Sequence, residues 1–215
     1  MNQKLVKVIL MTFLGIISSL KAAQVDIGIT LGSVVGSSGV ISNARVELGT
    51  FSSYTDATGF AYFSGKDYNT LRSSFTLLSN LDSSTNTDSL GNYYGAYDTA
   101  TTASGTRLFA WIFDAPSAST SSSWAVISGG GTGANSSIYN PVWLAVAPAA
   151  VENNIIEAAT IYTQIYASTP GASIVTNATI DPEGADISLV PEPSTGALMM
   201  IGAVGLVALR RLRKV

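Results

Sequence analysis

The sequence predicts an all-β body, built as a β-sandwich or a jelly roll, between two apolar terminal segments. Short apolar or alternating runs recur between turns rich in Gly, Ser and Asn, which is typical of antiparallel β proteins. The chain of 215 residues has no cysteine, so a buried core and no disulfide must hold the body together. Uncharged runs of 13 and 15 residues, each with basic neighbours, occupy the two ends.

The N-terminal segment has the organisation of a secretory signal peptide. Lys4 and Lys7 precede the apolar run at residues 8–20, and Ala22 and Ala23 supply small residues for signal peptidase. Cleavage after Ala22 is preferred, because cleavage after Ala23 would place the charged Lys21 at the −3 position. We therefore expect a signal peptide at 1–22, with an uncleaved anchor helix as the alternative.

Alternation of side chains predicts the first strands. The run VDIGITL, from Val25, places its apolar residues on one face. In ARVELGTF, Val46 and Leu48 lie opposite Arg45 and Glu47. We interpret the Arg–Glu pair as ordinary ion pairing on a solvated strand face and not as a catalytic pair.

Further strands and turns follow along the chain. The turn signature at residues 56–59, inside YTDATGFAYF, predicts a hairpin. Residues 155–166 fit either a short helix or a strand, and both remain open. The Ser- and Gly-rich stretches at 117–123 and 128–137 are typical of exposed loop tips. The other strand candidates are SSFTLL, RLFAWIFD, WAVIS, VWLAVA and ADISLV.

Composition excludes several classes of function. Between residues 24 and 190 there are four basic and thirteen acidic residues, a net charge of −9, which argues against nucleic-acid binding. The absence of histidine and cysteine excludes Ser-His-Asp triads, Cys-His pairs and histidine-ligated zinc. For glycoside hydrolysis the thirteen acids offer many pairs, and the sequence does not place any two of them at the required spacing. We therefore predict no enzymatic activity and no cofactor.

The aromatic residues allow two interpretations. In LFAWIF both faces of the strand are apolar, so the strand is either central and covered on both sides or presents aromatic rings to sugars. The candidate carbohydrate platform is Trp111, Trp124 and Trp143. A Gly-rich loop with three tyrosines could extend it, at Tyr93, Tyr94 and Tyr97.

The stretch LDSSTNTDSLGNYYG holds the only candidates for a metal site. Asp82, Ser84, Asn86 and Asp88 alternate like the first ligands of a calcium-binding EF-hand loop. The loop lacks the turn glycine and the bidentate glutamate of that motif. We expect no metal site, and a polar loop whose Asp and Asn side chains cap turns.

The C-terminal apolar run is short for a membrane span. Residues 195–209 would form a helix of roughly 22 Å, against about 30 Å of hydrocarbon. The basic cluster after it, which the positive-inside rule places in the cytoplasm, comprises Arg210, Arg211, Arg213 and Lys214. Lys4 and Lys7 favour the same side for the N-terminus, which leaves the acidic body outside.

The triplet Pro191-Glu192-Pro193, Ser194, the apolar run and the basic cluster together resemble the PEP-CTERM sorting domain. The resemblance covers about 26 of the 215 residues. It implies removal of the tail near the triplet by exosortase, a membrane-embedded transpeptidase-like enzyme. A single-pass anchor with a coincidental triplet is the alternative. The runs RLFAWIFDA, WAVISGG and PVWLAVAP resemble the β-rich body of one class of such proteins, which supports the fold and no activity.

These expectations combine into one organisation: a signal peptide at 1–22, an exported β-sandwich domain at 23–189 and a sorting signal at 190–215. The sorting signal would contain a transmembrane helix at about 195–209 and a basic cytoplasmic tail. The precursor is expected in the inner membrane and the mature protein at the cell surface or in the extracellular matrix. Its expected partners are signal peptidase, exosortase and the membrane, with a structural or adhesive role. A carbohydrate-binding module that takes exopolysaccharide is the first alternative, and a glycan-active hydrolase is the second.

Overall fold

The structure is a computed structural model that describes residues 23–82, 85–130, 142–145, 154–158, 163–170, 172–176 and 184–190. Within these ranges the chain is mostly β-strand, which confirms the prediction of an all-β body. The strands are β1 (Gln24–Ile29), β2 (Val34–Gly36), β3 (Gly39–Val40), β4 (Arg45–Phe51), β5 (Phe75–Leu77), β6 (Ser79–Asn80), β7 (Tyr93–Asp98), β8 (Phe109–Phe113), β9 (Trp124–Ser128), β10 (Asn154–Glu157), β11 (Gln164–Ser168), β12 (Ser173–Thr176) and β13 (Ala185–Ser188). The helices are α1 (Tyr68–Ser74) and the 3-10 turns η1 (Gly59–Tyr62) and η2 (Ala118–Thr120).

In the described part of the chain these strands form three sheets. Sheet I has the order β10-β1-β7-β6, sheet II the order β11-β9-β8-β4-β5, and sheet III the order β12-β13-β2-β3. Most neighbours are antiparallel, whereas β1 with β10 and β2 with β13 are parallel. Consecutive strands pair in each sheet, as β2 with β3 and β8 with β9, whereas pairs such as β1 with β10 and β2 with β13 join strands that are far apart in the sequence.

The first core lies where the three sheets meet. Val25, Ile27 and Ile29 of β1 are fully buried, as their alternation predicts. The same cluster contains residues from sheet II, such as Leu48, and from sheet III, such as Ile187. Three sheets thus bury their apolar faces against one another, and no disulfide is needed to hold them.

The second core lies on the opposite face of sheet II and is mainly aromatic. It contains Phe51, Phe63, Leu71, Phe109, Trp111, Phe113 and Val126. Phe63, just after η1, and Leu71 of α1 cover the rings of β8. Strand β8 is therefore covered on both faces, since its alternate residues Ala110 and Ile112, and Leu108 just before it, belong to the first core. This is the first of the two interpretations that the sequence allowed.

Two carboxylates hold helix α1 in place: Asp67 caps its first turn, and the buried Glu47 ties it to the sheet. Asp67 caps the helix by accepting from the backbone N–H of Thr70 at 2.8 Å, and this bond lowers the pKa of Asp67. On β4, the carboxylate of Glu47 is 1% exposed and accepts from Arg45 Nε at 2.6 Å and from Arg72 of α1. The prediction of ion pairing is right, but the prediction of a solvated strand face is wrong, because α1 covers it.

The predicted hairpin at residues 56–59 is wrong. Gly59, with φ of +47°, starts η1, and the chain turns into helical segments. The aromatic run after the turn packs onto sheet II instead of pairing as a strand, with the ring centroids of Phe63 and Phe51 5.2 Å apart. Aromatic side chains suit both arrangements, so local composition did not distinguish them.

The other local predictions had mixed outcomes. The open segment at 155–166 contains parts of β10 and β11, so strand is the alternative that the described residues adopt. SSFTLL, WAVIS and ADISLV contain the predicted strands, whereas VWLAVA contributes a single bridge, between Leu144 and Arg107, in its described part. The three tyrosines predicted for a loop lie on β7, where Tyr93 and Tyr97 are buried.

Candidate functional site

The C-terminal end of the body is held inside sheet III. Strand β13 pairs with β12 on one side and with β2 on the other. Beyond the strand, the backbone N–H of Leu189 donates to the carbonyl of Val35 at 2.8 Å. The Leu189 side chain is 2% exposed and belongs to the first core, and Val190 is half-buried. The fold therefore includes the chain up to Val190.

A glycine lets β13 approach the chain before β2. A Cβ at Gly32 would lie 1.9 Å from the carbonyl oxygen of Ala185, so any larger residue would displace the strand. The next residue, Ser33, donates its backbone N–H to the carboxylate of Asp186 at 3.0 Å. These two close contacts hold the start of β13 against residues 32 and 33, and so they fix the direction in which the chain leaves the body.

A polar cavity of about 390 Å³ lies beside Leu189. Residues 36–42, from the end of β2 through β3, line it together with Asp114 and Ser122. The Asp114 carboxylate accepts from the hydroxyls of Ser121 and Ser122, both at 2.7 Å. Burial by itself raises the pKa of Asp114, but the hydrogen bonds from these serines outweigh it, so the pKa is lowered.

Few charged side chains lie at this end of the described body. The described residues around Leu189 and Val190 are backbone, apolar or hydroxyl groups, apart from the hydrogen-bonded Asp114 and Asp186. The chain leaves sheet III directly before the Pro-Glu-Pro triplet, whose two prolines favour an extended backbone.

The family model described as PEP-CTERM protein-sorting motif matches residues 189–214. The C-terminal end of this chain therefore carries a PEP-CTERM sorting motif. The motif implies exosortase as the processing partner and an exported, membrane-anchored precursor. No curated protein and no solved structure matches the chain.

The matched motif overlaps the folded body by Leu189 and Val190. The remaining predicted sorting residues, which are Pro191, Glu192, Pro193, Ser194, Arg210, Arg211, Arg213 and Lys214, fall within the match but outside the described residues. The predicted signal peptide at 1–22 and the span at 195–209 also lie outside them. Among the residues described, no helix combines the length and apolar character that a membrane crossing requires.

The three tryptophans of the candidate platform do not share an exposed surface. Trp111 is 0% exposed in the second core, and Trp143 is 1% exposed in the first. Trp124 is half-buried, with its ring centroid 5.4 Å from that of Trp111. A carbohydrate platform of these three residues is therefore wrong for this fold, because a fully buried ring offers no face to a sugar.

The two candidate metal ligands are engaged in turns and pairing. Asp88 accepts from the backbone N–H groups of Leu90 and Asn92 at 2.8 and 2.9 Å. Asp82 accepts from the backbone N–H of Ala96 at 2.9 Å. Such contacts are those that the turn-capping interpretation predicts. In the part of the chain that the structure describes, no group of three or more acidic side chains is placed to hold a metal ion.

Sequence reasoning predicted the ion pair of Arg45 but missed the roles of the other three basic residues of the body. Arg45 and Arg72 both pair with Glu47, and Arg107 contacts Asp56 at 3.4 Å. The ammonium group of Lys66 lies 3.2 Å from the centre of the Tyr62 ring. Because the body has only four basic residues and a net charge of −9, each of them indicated a specific contact, but only the partner of Arg45 could be named from sequence.

Proposed function

We propose that this PEP-CTERM protein is a non-enzymatic surface or extracellular-matrix protein with a structural or adhesive role. Signal peptidase removes residues 1–22, and exosortase removes the tail near Pro191 and Pro193. The precursor sits in the inner membrane with both termini in the cytoplasm, and the mature body is a β-sandwich at the cell surface or in the matrix.

The position of the sorting motif is the observation that carries this proposal. The match begins at Leu189, which is the last buried residue of the described body. Only half-buried Val190 separates it from the proline triplet, so cleavage there would release the body with its sheets complete. A sorting tail in this position can be removed after export without loss of any strand of the described body.

The packing of the sheets supports the architectural part of the proposal. Residues of sheets I, II and III face one another across the first core, as in proteins built from packed sheets. The non-enzymatic role rests on the sequence, which holds neither histidine nor cysteine. It also rests on the sorting junction, by which we mean the end of the body at Leu189 and Val190, because this end presents a substrate peptide.

Intact-mass measurement of protein isolated from the producing cell's surface tests delivery and processing together. The expected mass lacks residues 1–22 and the tail after the triplet. A mass that retains residues 197–215 would show that the tail is a permanent anchor, and the proposal of a released surface protein would then be wrong.

A further inference from the structure

We propose that the cavity between Tyr54, Asp56 and Arg107 binds one pyranose unit of a neutral polysaccharide. The cavity has a volume of about 210 Å³ and lies beside the end of β4 and the start of β8. It is separate from the sorting junction and from the three tryptophans discussed above. The inference rests on the proposed extracellular location, where polysaccharide is available.

The guanidinium of Arg107 is held rigidly at this cavity. Its Nε donates to the hydroxyl of Ser128 at 3.1 Å, and its Nη2 donates to the Tyr166 hydroxyl at 2.6 Å and to the carbonyl of Gly129. The side chain is only 11% exposed. Three of the five N–H groups are thereby used to fix the orientation of the group.

The remaining edge of Arg107 has unused hydrogen-bonding capacity. Its Nη1 contacts the carboxylate of Asp56 at 3.4 Å, a long contact to a side chain that is 67% exposed. Among the described residues, the second hydrogen of Nη1 has no acceptor. Asp56 makes no other side-chain hydrogen bond within them. A donor and an acceptor therefore lie side by side at the cavity, and such a pair binds adjacent hydroxyl groups of a sugar.

The cavity wall also offers an apolar surface and further hydroxyls. The half-buried Tyr54 lines it together with Thr55, Gly105 and Thr106, and Phe51, which is 5% exposed, closes it from the second core. Tyr54 is half-buried, and burial and its neighbour Tyr166 raise its pKa to about 12, so its hydroxyl stays protonated at neutral pH. Sugars present C–H groups on a ring face and hydroxyls at its rim, which this mixture of ring and polar groups complements.

Charge and size favour a single neutral sugar over an anion. The body carries a net charge of −9, and Asp56 stands at the cavity, so both disfavour phosphate or a uronic acid. The volume is below the roughly 300 to 1,000 Å³ of pockets for drug-sized ligands, so the cavity takes one ring of a chain.

Isothermal titration calorimetry on the full chain tests the proposal. The chain is kept in a zwitterionic detergent without a sugar headgroup, so that the detergent does not compete. The probes are cello-, manno- and dextran-derived oligosaccharides, with oligogalacturonate as the acidic comparison. We expect saturable binding of at least one neutral probe, and a loss of affinity of about tenfold or more in Asp56→Asn, since a charged acceptor is lost.

The variants are chosen so that folding does not decide the result. Asp56 is largely exposed and its substitution by Asn leaves the core intact, whereas Arg107 links β8, β9 and β11 and is left unchanged. Asp98→Asn removes the same charge from β7, on sheet I, and should leave the affinity unchanged. Absence of binding to every neutral probe, binding of oligogalacturonate alone, or equal weakening in Asp98→Asn would each overturn the proposal. None of these outcomes alters the mass of the processed protein, so the proposed function is judged separately.

Discussion

The backbone N–H of Leu189 donates to the carbonyl oxygen of Val35 at 2.8 Å, two residues before the proline triplet of the sorting motif begins. Leu189 is thus at once a core residue of the body and the first residue of the matched motif. Because Leu189 has both roles, a cut on its N-terminal side would remove a core residue from the body.

We expect the mature C-terminus to retain Leu189. Leu189→Ala should lower the free energy of unfolding by about 2 to 3 kcal/mol, since it leaves a cavity in the first core. Val190→Ala, at a half-buried position, is the matched control and should cost less than half of that. Urea denaturation of the two variants gives the comparison, and equal effects would mean that the core does not extend to Leu189.

Replacing Pro191 and Pro193 by alanine should leave export intact and block removal of the tail. The prolines keep the chain extended, whereas alanines permit the predicted helix at 195–209 to extend toward Val190. A processing enzyme would then lose its extended substrate, and uncut protein should accumulate in the membrane fraction. Fractionation and immunoblotting measure this, and trimming at the normal rate in the double variant would show that the triplet is not recognised.

Arg72→Met should destabilise the protein by about 2 to 3 kcal/mol, somewhat below the usual cost of breaking a buried ion pair. The variant keeps an apolar stem but leaves the buried Glu47 with Arg45 alone, and Arg45 retains some contact with solvent. Lys66→Met, which removes a cation beside Tyr62, should cost less than about 1 kcal/mol. Thermal or urea unfolding distinguishes them, and an equal cost would contradict the importance of the Glu47 carboxylate.

Acid should weaken the wild-type protein more than a variant that lacks a hydrogen bond to Asp114. The pKa of Asp114 is lowered from its ordinary value of 3.8, so its contribution is present above that value and is lost as the pH falls through the folded-state pKa. Ser122→Ala removes one donor and should reduce the difference in stability between about pH 5 and pH 2. Ser119→Ala, whose hydroxyl contacts only that of Ser117, should retain the wild-type pH dependence. If both variants respond alike, the serines do not set the titration of Asp114.

Several features could be predicted because they depend on neighbours in sequence. Alternation placed Val25, Ile27 and Ile29 in the core, since side chains of a strand point to opposite faces in turn. The composition of LFAWIF indicated a strand covered on both sides or one bearing exposed rings. Burial of Trp111 and the packing of α1 over sheet II decided between them.

Other features could not be predicted from the pattern of neighbouring residues. An aromatic run after a turn fits a strand or a helical segment equally well, so the hairpin at 56–59 was predicted where η1 forms. The Arg107 cavity joins residues from 51 to 107, and its anchoring contacts extend to Tyr166. No spacing in the sequence brings these groups together.

By itself, the sequence determined the sorting motif, the all-β class and the chemistry that the absence of histidine and cysteine excludes. These are properties of order and composition, which do not depend on how the chain folds. Only the tertiary structure decided which rings are buried, that Glu47 lies under α1 and that the body extends to Leu189. Those outcomes depend on contacts between residues that are distant in sequence, from 25 residues apart for Arg72 and Glu47 to 153 for Val35 and Ser188, and burial is a property of such contacts.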